Sequence, residues 1–143
     1  MIPQFFQSAL KSTITIAPVV WLIAVDTVMG VLRAAREKSF NSSVGIDGAI
    51  RKAGMLLSVA AFAVIDAIAR INLIGFIPEQ VWGIFGFTPP RLGSADFFGL
   101  LFIAYEIVSV LKNMYRAGLP VKGVWVKVKA FLQKWTNELP DDD

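Results

Sequence analysis

The sequence predicts an all-α membrane protein with three transmembrane helices, an interfacial or re-entrant segment between helices 2 and 3, and a C-terminal amphipathic helix. Three observations carry that prediction. The 143 residues are 55% hydrophobic and only 17% charged, with a mean hydropathy of +0.60, so lipid is the natural solvent for most of the chain. Apolar runs at about 13–32, 53–69 and 95–111 are each long enough to be read as a span, whereas apolar helices of soluble domains are usually shorter and seldom recur in so small a chain. After the last run the pattern changes to lysine-flanked apolar residues at helical spacing. The predicted division is a three-span domain over 1–120, then a cytoplasmic amphipathic helix and acidic tail over 121–143.

The residues before Thr13 (Phe5, Phe6, Leu10, Lys11) suit a short interfacial helix, and no small-residue cleavage site follows the first apolar run, so that run is expected in the mature protein. Thr13 to Leu32 holds twenty residues with Asp26 as its only charge, and as a helix it spans about 30 Å, the thickness of a hydrocarbon core. Asp26, Gly30 and Ala34 fall four apart on one face, pairing a carboxylate with small residues that admit a close helix neighbour.

Arg33 to Lys52 reads as a basic connection. Within it Asn41, Ser42, Ser43 and Gly45 supply turn chemistry, Asp47 is the expected N-cap of the next helix, Gly48 follows it, and Arg51 and Lys52 are expected to snorkel to headgroups. The second span, Ala53 to Ala69, is near the lower limit for crossing, and Asp66 and Arg70 near its far end read as an interfacial ion pair. Residues 71–92 are broken by Gly75, Pro78, Gly83, Gly86, Pro89 and Pro90, which argues against a span. Pro78 suits the start of a short helix with Trp82 as its interfacial anchor.

Ser94 is the expected N-cap of the third span. Gly118 is placed for a left-handed stop, and Pro120 blocks continuation. Gly99, Glu106 and Asn113 recur every seven residues with Ser109 beside them, a polar seam that prefers protein or water to lipid. Asp26 and Glu106 are expected at similar depth, with Arg33 and Lys52 within reach. From Val121 the apolar face includes Trp125, Phe131 and Trp135, flanked by lysines that include Lys127 and Lys134. It is expected to lie in an anionic headgroup layer or against a neighbouring protein.

Eleven of the fourteen basic residues lie in the first connection or beyond Leu111, which predicts both of those segments in the cytoplasm and the N-terminus outside. Cysteine and histidine are absent, which removes disulfides, imidazole catalysis and Cys/His metal sites. No catalytic cluster, cofactor site, metal site or nucleic-acid motif is expected.

The run Asp26 to Gly30 (DTVMG), the stretch Phe40 to Lys52 (FNSSVGIDGAIRK), and Tyr105 to Met114 (YEIVSVLKNM) followed by Gly118 to Pro120 (GLP) resemble the toxin-secretion and phage-lysis holin family, particularly its clostridial large-toxin-release branch. The resemblance implies a protein of the bacterial inner membrane, or a phage host's, that oligomerises and opens lesions. Through these an endolysin or a toxin without a signal peptide leaves the cell. The partners so implied are the lipid bilayer, further copies of the chain, an antiholin and the passing protein. An ion-channel or transporter subunit and an antiholin-type regulator are the rival readings.

Overall fold

The computed structural model describes residues 4–86 and 91–135. Its elements are α1 (Gln4–Ser12), α2 (Ile16–Glu37), α3 (Ser42–Ala69), α4 (Glu79–Ile84), α5 (Ser94–Arg116) and α6 (Lys122–Trp135), with no strand among the described residues. Three helices, α2, α3 and α5, are long and apolar enough to cross a membrane. Their 22, 28 and 23 residues correspond to about 33, 42 and 34 Å.

α2 and α5 run parallel: Thr15, just before α2, meets Asp96 at the start of α5, and Glu37 at the end of α2 meets Arg116 at the end of α5. α3 runs against both, so that Asp66 near its end reaches Ser94 and Ala95 at the start of α5. α5 is therefore the central helix, packed on α2 and α3 together. Val59 and Ala63 of α3 and Ala95 of α5 form a small apolar core near that end, surrounded by Leu10, Ile16, Phe62 and Phe102. Phe62 and Phe98 stack with ring centroids 4.4 Å apart. α1 lies on α3 and buries Ala9.

Only 11% of the apolar stretch of α2, and 22% of those of α3 and α5, is buried within the chain. Residues such as Trp21, Val28, Leu57, Ile68 and Leu101 face outward. In lipid that outward face is matched to its solvent, and what remains to be buried is whatever lipid cannot satisfy.

Several boundaries differ from the sequence reading. The basic connection is four residues, Lys38 to Asn41, because α2 continues to Glu37 and α3 begins at Ser42. Asn41, not Asp47, is the N-cap: its Oδ1 accepts the Ser43 backbone N–H at 3.0 Å and the Ser43 hydroxyl at 2.9 Å. Asp47 lies inside α3, exposed, and α3 is the longest of the three apolar helices, where the sequence reading put the second span near the lower limit for crossing. Helix ends that emerge into water are polar, and hydropathy alone reads them as loop. Gly93, not Ser94, caps α5, and its N–H is accepted by Asp96 Oδ2 at 3.1 Å.

Pro78 does open the short α4, where Trp82 is half-buried. Pro89 and Pro90 lie outside the described residues. Gly118 has φ +78°, a left-handed conformation that favours glycine at the turn out of α5, and the Arg36 guanidinium packs over it. Beyond Trp135 the acidic tail is outside the described residues, as is the side chain of Trp135 itself.

Candidate functional site

Each spanning helix brings ionisable or amide side chains to one interior seam. From α3, the Lys52 ammonium sits 2.7 Å from Asp26 Oδ2 of α2, and donates to the Thr27 hydroxyl at 2.8 Å and the Ile23 carbonyl at 3.3 Å. From α5, Asn113 Nδ2 donates to Asp26 Oδ1 at 2.9 Å, while its Oδ1 accepts Arg33 Nη1 at 3.0 Å. Glu106 lies beside this group, 0% exposed, with its Oε2 4.0 Å from Lys52 Nζ. Gly30 lies beside Asn113, and a Cβ there would meet Asn113 Nδ2 at an ordinary contact distance of 3.8 Å.

The seam contains two carboxylates, Asp26 and Glu106, and two cations, Lys52 and Arg33, so its formal charge balances across α2, α3 and α5. A charge at the centre of a bilayer costs about 2.5–3.5 kcal/mol even on insertion-derived scales. Pairing offsets part of that cost only where the hydrogen bonds are also complete. Asp26 and Lys52 meet that condition. Both Glu106 oxygens and Arg33 Nε are buried without a hydrogen-bond partner among the described residues.

A second polar cluster closes the other end of the bundle. Asp66 accepts the Ser94 N–H at 3.0 Å, the Ser94 hydroxyl at 2.6 Å and the Ala95 N–H at 2.8 Å, so a side chain of α3 satisfies the free N–H groups that begin α5. Asp96 accepts the Thr15 hydroxyl and backbone N–H at 3.1 and 3.2 Å. Arg91 ties down the carbonyls of Asp66 and Ile71. The expected Asp66–Arg70 ion pair is absent: Asp66 is committed to α5, and Arg70 is the left-handed C-cap of α3. A Cβ on Gly99 would overlap the Thr15 side chain, so Gly99 is where α2 and α5 approach most closely at this end.

Asp26, Gly30, Glu106 and Asn113 thus come together inside one chain, whereas Gly99 faces Thr15 at the other end of α5, and Ala34 and Ser109 are half-buried. Of the loop signature, Asn41 and Ser43 cap α3, Arg51 lies over the Tyr105 ring at 5.2 Å, and Lys52 enters the seam instead of snorkelling. Ser42, Gly45 and Asp47 are exposed, Gly48 is half-buried, and no atom lies within 4 Å of a Cβ placed on either glycine. On α6, Trp125 is buried with its ring 6.3 Å from that of Tyr115, whereas Lys127, Phe131 and Lys134 are exposed. Sequence reasoning missed Thr15, Thr27, Gly93 and Asp96. A carboxylate in the first turn of an apolar span was the available signal for Asp96.

Three apolar helices bound by a charge-balanced internal seam define a multi-pass helical membrane protein, and the comparisons with known proteins narrow the class. The model of the bacteriophage holin family matches residues 6–134, and the chain belongs to that family. It is similar to the holin-like protein TcdE of Clostridioides difficile, 38% identical over 137 residues that cover 95% of this chain and 81% of that protein. No solved structure matches the chain. Family and spans together make it a holin of the bacterial inner membrane. The family implies an oligomer in that membrane and the release of an endolysin or a toxin.

Proposed function

We propose that the chain accumulates in the cytoplasmic membrane as a closed three-helix protomer, then assembles in many copies into a lesion that passes an endolysin or a toxin lacking a signal peptide. The supporting observation is the interior seam of Asp26, Lys52, Glu106 and Asn113, which keeps the polar groups of all three spans off the lipid within one chain. Three packed helices enclose no passage for a folded protein, so a lesion requires several copies whose seams turn to water. Gly30, Ala34, Gly99 and Ser109 share these faces and become pore-lining or packing positions.

The proposed orientation keeps the N-terminus outside and the C-terminus inside. Lys52 and Arg33 belong to the seam, so nine basic residues rather than eleven mark the cytoplasmic side, against Lys11, Arg70 and Arg91 on the other. Trp125 fixes α6 to the end of α5, and Lys127, Phe131 and Lys134 are then placed for an anionic leaflet. An antiholin is the natural regulator, and no step is catalytic.

The test is controlled expression in a bacterium that also carries a cytoplasmic reporter enzyme. After a delay the enzyme should appear in the medium. Growth arrest with the enzyme retained would favour an ion channel, and unaffected growth would favour a regulator without a pore.

A further inference from the structure

Lys52 has three N–H groups to donate, and the closed protomer uses all three, on Asp26, Thr27 and the Ile23 carbonyl. Glu106 is left at 4.0 Å from that ammonium, fully buried, with neither oxygen hydrogen-bonded among the described residues. The contrast with Asp66 and Asp96 is sharp: those two carboxylates each accept three hydrogen bonds at the other end of the bundle. Around Glu106 stand Asp26 on α2 and Arg51 and Lys52 on α3. Each of these three has a partner of its own: Asp26 and Lys52 hold each other, and Arg51 lies over the Tyr105 ring.

An unpartnered buried carboxyl destabilises whatever state buries it and is relieved by any state that gives it water. We infer that Glu106 is a built-in destabiliser of the closed protomer that sets when the lesion opens. In the closed form it has no donor. When α5 turns its seam to water the side chain gains hydrogen bonds, while the well-bonded outer end of α5 keeps the helix attached to α3 through Asp66. The bundle therefore opens from the seam and not from the Asp66 end. This rests on the lesion-forming reading above.

Two near-isosteric changes remove the excess by different routes. Glu106→Gln removes the carboxylate and supplies an amide that can donate to Asp26, and Thr27→Val frees one Lys52 N–H to turn to Glu106. Each variant is expressed at matched membrane level beside a cytoplasmic reporter enzyme, and each is purified in detergent for thermal unfolding. Both should unfold at higher temperature than the wild type and should lengthen the delay before enzyme release severalfold. The inference is overturned if both variants unfold at or below the wild-type temperature, or if the delay is unchanged or shortened with normal accumulation. If the wild type itself releases no enzyme, the lesion reading fails, and the unfolding temperatures still decide whether Glu106 destabilises the closed form.

Discussion

Lys52 is the residue through which the three spans are coupled. It starts from α3, is paired with a carboxylate of α2, and is the nearest cation to the buried carboxylate of α5. Removing one partner of a buried pair leaves the other charge uncompensated, an effect of about 3–5 kcal/mol. Lys52→Met is therefore expected to lower stability by about that amount. Arg51→Met one position earlier loses an exposed cation–π contact and a solvent-screened attraction to Glu106, about 1 kcal/mol. Thermal unfolding of the two variants in the same detergent checks the difference; equal losses would place Lys52 outside the seam.

Much of the seam at this scale was legible in the sequence. Asp26 and Glu106 announce themselves as charges inside apolar runs, and Gly30 and Asn113 follow by helical spacing. The choice of cation was not fully legible. Arg33 and Lys52 both stood within reach, and only the packing of the three helices decides that Lys52 takes Asp26 while Arg33 takes Asn113. Thr27 was illegible for a related reason: a threonine on a spanning helix ordinarily bonds its own backbone, as this one also does to Ile23.

Helix existence was readable at the level of elements, and helix ends were not. The three spans follow from composition, but α3 begins eleven residues before its apolar run, capped by Asn41, through a stretch whose Gly45, Gly48 and serines have weak helix propensity and so do not announce a helix. The junction between α3 and α5 carries the sharpest prediction. Asp66 satisfies both backbone and hydroxyl donors at the start of α5, so Asp66→Ala should destabilise the protein by about 2 kcal/mol, in the range of lost helix caps. Arg70→Ala should change stability by less than about 0.5 kcal/mol, as surface substitutions usually do. Equal effects in thermal unfolding would restore the ion-pair reading. At the other end, Trp125 divides the apolar face of α6, sending one edge to Tyr115 and leaving Phe131 outward. Periodicity gave the face but could not apportion it between protein and lipid.

On the scale of the whole molecule, the protomer gathers its polar groups inside, Glu106 alone among the described carboxylates there going without a hydrogen bond, and leaves its apolar area largely uncovered. Its polar groups face one another, whereas most of its apolar surface faces outward. A closed protomer of this kind can diffuse in lipid without exposing charge, as a protein that accumulates before acting must. The fate of the seam separates the closed and open forms, and the natural absence of cysteine makes it directly measurable. Ser109→Cys is a nearly isosteric change beside Glu106 and Asn113, and Leu101→Cys places a thiol on the outward face of the same helix. A membrane-permeant maleimide, which reacts only where water reaches the thiol, is added before and after the onset of enzyme release. The account predicts that Ser109→Cys is protected before release and modified after it, with Leu101→Cys protected throughout. Modification before release, or protection that persists after it, would contradict the account.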